Sequence, residues 1–140
     1  MFTCNAPQAY AGLSDCRPIL CVANLAESLT YYVETLGFRV GFAWSKDEQR
    51  FLTPEQPGAP DFALVVRDKV QMMLSQQSQG AAGMWLHLDV DSAAQLDALY
   101  AEWKQRGARI VEPPEVRPWG MYEMRVEDLD RHLLRVASSP

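Results

Sequence analysis

The side chains best suited to binding or catalysis in this sequence lie on one short apolar stretch, residues 84–90. It carries His87, one of two histidines in the chain, with Trp85 and Asp89 two positions to either side. Alternate residues of a β-strand share a face, so these three side chains are predicted to line one surface. There the imidazole could donate a hydrogen bond to a ligand or bind a metal ion. The simpler interpretation is a partly buried histidine whose hydrogen bonds are made within the protein. The second histidine, His132, is predicted to lie in a turn and face solvent.

Aromatic side chains offer a second chemistry, stacking against a flat ligand. Trp103 follows helical spacing with its apolar neighbours and is predicted to belong to the core. The other rings expected near one surface fall on predicted strands or beside them, and they are Phe42, Trp44, Phe62, Trp85, Trp119 and Tyr122. The alternative is that these rings fill the core of a small sheet.

Charged side chains admit two opposite interpretations. Asp61, Asp89 and Glu123 are candidate carboxylates for a cationic ligand, because cations gain from an aromatic face near carboxylates. Arg17 and Arg135 oppose a purely cation-binding surface. They would either pair with Asp89 and Glu123 or hold a ligand carboxylate or phosphate in bidentate fashion. The sequence leaves both interpretations open.

Several classes of function are disfavoured by what the sequence lacks. No serine, histidine and acid fall at a recognisable spacing, and no glycine-rich phosphate loop is present. The three cysteines are odd in number and lack C-x-x-C spacing, which disfavours a disulfide framework or a zinc knuckle. A formal net charge of −5 over 140 residues disfavours a phosphate-binding surface. We therefore expect no nucleic-acid partner.

Membrane association and export are also not indicated. The apolar runs are only a handful of residues long, far short of a membrane span. Residues 1–16 lack the basic start and the long apolar core of a signal peptide. The sequence thus predicts a cytoplasmic protein with no membrane partner.

Hydrophobic periodicity predicts the same series of elements twice. Each helix begins after a capping residue, Asn24 in the first half and Asp91 or Ser92 in the second, and each ends at a glycine, Gly37 or Gly107. The predicted helices cover residues 25–36 and 93–106. The predicted strands cover residues 18–22, 38–44, 61–66, 70–74, 84–90, 109–111, 121–126 and 132–137, with one more short strand around Phe51.

The two halves also match in sequence at the end of each helix. Leu36-Gly-Phe-Arg-Val40 and Arg106-Gly-Ala-Arg-Ile110 are both a helix terminus, a glycine cap and an x-Arg-aliphatic strand. This internal duplication predicts an α+β fold of two tandem β-α-β-β-β modules, residues 17–77 and 84–137, in one structural domain after a leader over residues 1–16. The modules should form a curved mixed sheet around a shared cleft. Pro113-Pro114 is predicted to end the strand that begins at residue 109.

Short segments in a fixed order carry a family resemblance. They are residues 22–32, Leu36-Gly-Phe38, Asp61-Phe-Ala-Leu-Val-Val-Arg-Asp68, Leu99-Tyr-Ala-Glu-Trp103, Pro118-Trp-Gly120 and Val126-Glu-Asp128. The chain resembles the vicinal-oxygen-chelate superfamily (glyoxalase I, extradiol dioxygenases, bleomycin resistance proteins), and within it the bleomycin resistance proteins most closely. The resemblance spans residues 17–137. It implies the paired β-α-β-β-β fold and a homodimer, often strand-exchanged, with clefts between protomers.

The resemblance also implies where a metal would bind. Enzymes of the superfamily hold a divalent metal through side chains on the first and fourth strands of each module, and these positions align with Arg17, Met73, Trp85 and Arg135. None is a normal metal ligand, and arginine has no acceptor to offer. We therefore expect no metal and no cofactor, which disfavours a metal-dependent enzyme.

The last turn departs from the family pattern. Asp128-Leu-Asp-Arg131 stands where the family usually has Asp-Pro-Asp-Gly. The proline and the usual left-handed residue are both missing, so the resemblance does not predict the geometry of this turn.

Three functions are consistent with these features. The first is a non-catalytic protein of the bleomycin-resistance type, which would confer antibiotic resistance by sequestering an amphipathic aromatic ligand in a dimer-interface cleft. The alternatives are a superfamily lyase, isomerase or dioxygenase with an atypical metal site, and a binder of some metabolite. The predicted ligand-binding residues are Trp119, Trp85, His87, Phe62, Trp44, Phe42, Asp89, Tyr122, Glu123 and Arg135, with no catalytic or metal-binding residue. Trp119 is the strongest candidate, because its Pro-Trp-Gly turn matches the family and should place the ring at the edge of the cleft.

Overall fold

The computed structural model describes residues 11–53, 55 and 58–140. Two α-helices, one short π-helix and nine strands lie in these ranges, in the order β1 (Ile19–Val22), α1 (Leu25–Thr30), the π-helix (Tyr31–Thr35), β2 (Arg39–Ser45), β3 (Arg50–Leu52), β4 (Phe62–Arg67), β5 (Val70–Gln76), β6 (Trp85–Asp89), α2 (Ala93–Gln105), β7 (Arg109–Val116), β8 (Tyr122–Glu127) and β9 (Leu133–Ser138). The predicted leader over residues 1–16 falls partly outside the described residues. Residues 11–18 form no helix or strand before β1.

The strands form two mixed sheets with related topologies, which confirms the predicted α+β fold. The first sheet has the order β1-β5-β4-β2-β3 and the second the order β6-β9-β8-β7. In each sheet the first strand of the half pairs in parallel with the last, as in the pairs Ile19 with Met73 and Trp85 with Leu133. The other pairings are antiparallel.

Each helix begins at a predicted cap and is followed by a glycine in the left-handed conformation. Asn24 Oδ1 accepts a hydrogen bond from the Glu27 N–H at 3.1 Å, and Ser92 Oγ accepts one from the Gln95 N–H at 3.2 Å. Gly37 and Gly107 have φ values of +77° and +85°, a conformation that favours glycine. The first helix is not α-helical throughout, because Tyr31–Thr35 form a wider π-helical turn.

Both sheets and both helices share one hydrophobic core. Its fully buried members come from each half, and they include Leu20, Tyr32, Val65, Leu74, Leu96, Met124, Leu134 and Val136. Trp103 is also buried, as predicted, and its indole N–H donates to the Leu36 carbonyl at 3.0 Å. Since successive strand residues alternate between faces, one face of each sheet packs into this core and the other lies away from it.

The junction between the halves is built from hydrogen bonds of the first helix to the second sheet. The Tyr31 hydroxyl donates to the Glu127 carbonyl at 2.8 Å and accepts from the Arg109 N–H at 3.0 Å. The Tyr32 hydroxyl donates to Asp128 Oδ2 at 2.9 Å inside the core. Burial raises the pKa of both tyrosines, which keeps these hydroxyls protonated and available as donors.

His132 is buried rather than solvent-facing, so its predicted exposure was wrong. Its Nδ1 accepts from the Met84 N–H at 3.0 Å, and its Nε2 lies 2.7 Å from the Cys21 carbonyl oxygen. A carbonyl can only accept, so Nε2 carries the proton and the imidazole is the neutral Nε2–H tautomer. The ring thereby links β1 to β6. The prediction failed because these partners come from distant segments of the chain.

The strand that begins at Arg109 runs through both prolines to Val116, so the predicted break at Pro113-Pro114 was also wrong. β7 is an edge strand of its sheet and, among the described strands, pairs only with β8. The pairing register shifts between Glu112 and Glu115, around the prolines. An edge strand with an irregular register tolerates residues that lack an N–H donor.

The turn that lacks the family's proline and glycine is held by the side chain of Asp128. Its Oδ1 accepts from the backbone N–H groups of Asp130 and His132, each at 2.9 Å. Arg131 takes the left-handed conformation itself, with a φ of +63°. The carboxylate thus provides the constraint that a proline would otherwise supply.

We expect Asp128→Ala to lower the free energy of unfolding in urea by about 2–4 kcal/mol, because it leaves three buried or half-buried donors without their acceptor. The matched variant Asp128→Asn retains an oxygen for the two backbone donors and should lose less. Equal losses in the two variants would show that the hydrogen bonds to Oδ1 do not hold the junction.

Urea unfolding of the wild type and of Asp128→Asn over a range of pH tests the ionisation of Asp128. Burial is the main cause that raises the pKa of this carboxyl above its usual value, with the hydrogen bonds from the Tyr32 hydroxyl and from the backbone N–H groups of His132 and Asp130 opposing it. The folded state then takes up a proton at higher pH than the unfolded state. The contribution of this group to stability is therefore present at low pH and is lost as the pH rises through the raised pKa. Asp128→Asn should lack this component.

Candidate functional site

The face of the first sheet that lies away from the core is aromatic. Trp44 is the strand partner of both Phe62 and Phe51, and Phe42 lies two residues before it on β2. The rings of Phe42 and Phe62 are stacked with centroids 6.1 Å apart, and those of Trp44 and Phe51 meet edge to face at 4.8 Å. Phe51 also contacts Phe42 at 5.6 Å. We call Phe42, Trp44, Phe51 and Phe62 the aromatic face. It brings together three predicted site residues and adds Phe51.

The corresponding face of the second sheet is charged. Its centre is Glu123, whose side chain is only 1% exposed. Three guanidinium groups approach this carboxylate, with N–O distances of 3.3 Å from Arg125, 3.5 Å from Arg117 and 3.7 Å from Arg135. A buried carboxylate with several charged donors is stabilised, whereas one without them would strongly oppose folding.

The outer part of this cluster belongs to Arg117, whose side chain is 9% exposed. It forms ion pairs with Glu112 and, at 2.6 Å, with Glu115. Glu112 is also 3.6 Å from the Nε of Arg125. Three arginines and three glutamates thus form one connected network on β7, β8 and β9 and the residue after β7.

The inner part of the cluster contains the predicted residues of β6. Arg135 Nε donates to His87 Nδ1 at 3.1 Å, and His87 Nε2 lies 2.9 Å from Asp89 Oδ1. A guanidinium can only donate, so Nδ1 is an acceptor and Nε2 carries the proton shared with Asp89. The guanidinium of Arg125 lies 5.2 Å from the centre of the Trp85 ring, at cation–π distance. We call Trp85, His87, Asp89, Glu123, Arg125 and Arg135 the charged face.

Two of the predicted site residues lie elsewhere. Tyr122 precedes Glu123 on β8, so it points to the opposite side, where it packs against the core and donates to Asp97 Oδ1 of α2 at 2.5 Å. That hydrogen bond raises the pKa of the Tyr122 phenol. Tyr122 therefore does not share the face of Glu123, because neighbouring residues on a strand point to opposite sides. Trp119 is 57% exposed in the turn between β7 and β8, where the Gly120 N–H donates to the Arg117 carbonyl.

Sequence reasoning missed five members of these clusters, which are Phe51, Arg117, Arg125, Glu112 and Glu115. Arg125 carried a usable signal, since it alternates with Glu123 along β8 and must share its face. Arg117 carried none, because its approach to Glu123 depends on the irregular path of β7. Two candidate charges have other roles: Asp61 Oδ1 accepts from the Lys46 N–H, and Arg17 pairs with Asp15.

A cavity of about 590 Å³ lies away from the aromatic face and touches the charged face at Asp89. It separates the hairpin turn between β4 and β5 from α2 and the end of β6, with Phe38, Leu88, Trp103 and Val136 among its apolar walls. At its polar rim Arg67 binds the Glu102 carboxylate at 2.6 Å and lowers the pKa of that group. The cavity thus marks the seam between the halves, whereas the aromatic and charged faces are open surfaces of a single chain.

Comparison of the sequence with models of known protein families identifies the family of this chain. Residues 13–136 match the Glyoxalase/Bleomycin resistance protein/Dioxygenase superfamily. The chain belongs to this superfamily. No protein of curated function matches the sequence. Within the described ranges, no helix is long and apolar enough to cross a membrane.

Solved structures of other proteins share the architecture at low sequence identity. TioX from Micromonospora sp. ML1 has a TM-score of 0.71 at 18% identity, covering 91% of this chain and 100% of its own. TnmS3, an antibiotic binding protein from Streptomyces sp. CB03234, has a TM-score of 0.66 at 19% identity, covering 94% and 100%. The bleomycin-binding protein from bleomycin-producing Streptomyces verticillus, solved with copper(II)-bleomycin, has a TM-score of 0.67 at 20% identity, covering 94% and 100%.

The metal positions of the superfamily's enzymes do not fit a metal in this member. Arg17 precedes β1, Trp85 lies by the Arg125 guanidinium, and Arg135 is bonded to Glu123 and His87. Met73 offers only a thioether, which suits soft metals rather than the hard divalent ions. His87 lies directly across from Arg135, but its Nδ1 already accepts from that arginine. Among the described residues, no three His, Cys, Asp or Glu side chains are grouped to hold a metal ion.

We expect Glu123→Gln to lower the free energy of unfolding by about 2–4 kcal/mol, because three guanidinium groups lose the carboxylate at their centre. The control is Glu115→Gln, which removes an exposed partner of Arg117 and should change stability by about 0–1 kcal/mol. Urea unfolding of both variants at neutral pH measures the difference. If the two variants were equally stable, Glu123 would not organise the charged face.

Proposed function

We propose that this superfamily member is a non-catalytic binding protein of the bleomycin-resistance type, which sequesters an amphipathic aromatic ligand in a cleft between two copies of the chain. The aromatic face is the observation that carries the proposal. Its four rings form one connected cluster, with one stacked and two edge-to-face contacts, on the side of the sheet that faces away from the core, and Phe51 is 59% exposed. Exposed apolar patches of this kind mark sites for ligands or partners.

The charged face supplies what the aromatic face lacks. Ligand sites combine mainly apolar walls with a few well-placed polar groups. His87, Asp89 and Arg135 are such groups, and Trp85, which is 59% exposed, adds a stacking surface beside them. A ligand held between the two faces would therefore find an apolar wall on one side and hydrogen-bonding groups on the other.

A second copy of the chain is the proposed means of bringing the faces together. Within one chain, each sheet turns its opposite face into the shared core, so neither open face can close a cleft alone. If the charged face of one protomer lies opposite the aromatic face of its partner, a twofold axis produces two equivalent clefts. Strand exchange would be one way to secure such a dimer.

The antibiotic-binding proteins of similar fold add support for the ligand class. TnmS3 is an antibiotic binding protein, and the Streptomyces verticillus protein binds bleomycin. Sequestration needs affinity but no reactive group, which suits a face whose arginines and carboxylates are engaged with one another. We further propose a cytoplasmic location, where a sequestered antibiotic would be kept from its target.

The alternative is a lyase, isomerase or dioxygenase of the same superfamily with an atypical metal site. The bonded pair of His87 and Asp89 is the feature that favours it, because imidazole and carboxylate are metal ligands and proton carriers. A metabolite rather than an antibiotic as the ligand is a second alternative, and the same cleft would serve it.

We expect the purified protein to sediment as a dimer at micromolar concentration. Phe51→Glu should shift it towards monomer, because the new carboxylate would be buried in the cleft interface without a partner. Glu55→Gln, a change at a nearby position of the same segment, is the control and should leave the dimer intact. A wild-type protein that stays monomeric at high concentration would contradict the dimer-cleft proposal.

We expect bleomycin to quench the tryptophan fluorescence in a saturable titration. Trp44→Ala and Trp119→Ala should each weaken binding by about 1–3 kcal/mol, as for aromatic anchors at an interface. Val33→Ala, which shortens a partly exposed side chain on the helical side, is the control and should bind normally. An unchanged affinity in Trp119→Ala would remove Trp119 from the site.

Two results would redirect the assignment. A flat titration with bleomycin would leave only the version in which the ligand is a metabolite. Stoichiometric zinc, nickel, iron or manganese in the purified protein, lost together with an activity on chelation, would support the enzyme and overturn the binding proposal.

A further inference from the structure

Arg135 is held firmly on one side only. Its Nε contacts both His87 Nδ1 at 3.1 Å and Glu123 Oε1 at 3.7 Å. Its two terminal nitrogens have no protein partner among the described residues, and the side chain is 37% exposed. A guanidinium fixed through Nε presents its remaining N–H groups in a rigid fork, the geometry that matches an oxyanion.

Arg125 lies beside it. The two arginines are direct partners across β8 and β9, so they share the charged face. Arg125 uses Nε and one terminal nitrogen on Glu123, each at 3.3 Å, and the other terminal nitrogen has no partner within the described part of the chain. Two adjacent guanidinium groups thus contact the same buried carboxylate, and each keeps N–H donors that it does not use.

The charges of the network are balanced in number but not in position. Glu112 and Glu115 lie at the Arg117 end, where both contact that arginine, and Glu112 also lies 3.6 Å from Arg125. At the other end, Glu123 is the only carboxylate of the described residues within 4 Å of Arg135, and it is shared with two more guanidinium groups. Asp89 lies beyond the imidazole of His87. The Arg135 end therefore has more positive than negative charge in contact, although the chain carries −5 overall.

We infer that the Arg135–Arg125 pair binds an acidic group of the ligand, a carboxylate, sulfonate or phosphate, while the aromatic part of the ligand stacks on Trp85. This inference rests on the proposed binding function and adds flat aromatic acids to the ligands that the cleft would bind. Trp85 lies with Arg125 at cation–π distance and remains 59% exposed. A ring stacked there would carry its acidic substituent towards the free guanidinium edges.

The test uses two fluorescent probes that differ in one group. 8-Anilinonaphthalene-1-sulfonate carries a sulfonate, whereas N-phenyl-1-naphthylamine has the same ring system without it. We expect the wild-type protein to bind the sulfonate probe about tenfold more tightly, the scale of one charge-assisted contact, with the preference falling as salt is raised. Arg135→Gln should lose about tenfold in affinity for the sulfonate probe and change affinity for the neutral probe less than about twofold.

Two further variants make the result specific. Arg106→Gln removes the same charge from the exposed end of α2 and should leave the affinity for both probes unchanged. Arg135→Lys keeps the charge but not the fork, and it should restore only part of the sulfonate preference. If Arg106→Gln lost as much affinity for the sulfonate probe as Arg135→Gln, the preference would be due to net charge and the inference would be overturned.

The remaining outcomes separate this inference from the function on which it rests. The acid site would be overturned, but an aromatic binding cleft would remain, if the wild-type protein bound the two probes with equal affinity. The same would follow if Arg135→Gln lost equal affinity for both probes. Binding of neither probe by the wild-type dimer would overturn both.

Discussion

The packing of the two halves against each other depends on the buried carboxylate of Asp128. It accepts a hydrogen bond from the Tyr32 hydroxyl of the first half and two more from backbone N–H groups of its own turn. His132, held by one of those bonds, reaches back to the Cys21 carbonyl on β1 and to Met84 at the start of β6. A few polar contacts inside an apolar core thus fix the orientation of both sheets, because each would be costly to leave unsatisfied.

That orientation determines which chemistry is available at the surface. With the helical side of each sheet in a common core, the opposite sides are free to diverge, and they have diverged strongly. One consists of a cluster of four aromatic rings and the other of a network of six charges with Trp85 at its margin. Two sheets of related topology therefore carry unlike surfaces, one apolar and one charged.

The sequence was informative wherever the determining contacts are local. The caps Asn24 and Ser92, the left-handed glycines and the alternation along β6 were all readable, since each depends on neighbours in the chain. It was uninformative about His132, whose partners lie up to 111 residues away. It also misjudged the prolines of β7, because a strand's position at the edge of a sheet is a property of the whole topology.

Within the candidate site the same division holds. Membership of a face follows from strand alternation, which places Glu123 with Arg135 and excludes Tyr122. The pairing of charges does not follow from it, because three arginines and three glutamates admit many arrangements. Only the bent path of β7, which brings Arg117 to Glu123, selects the observed one. The sequence could thus name candidates for the surface but not their partners.

The prolines of β7 have a consequence for how these molecules can aggregate. A regular outer strand offers a row of free N–H and carbonyl groups on which further strands, including those of other molecules, can grow into fibrils. Pro113 and Pro114 have no N–H to donate, and the register shifts around them distort the edge. On the other sheet the edge strand β3 has only three residues. These two edges are therefore poor templates for the addition of strands from other molecules.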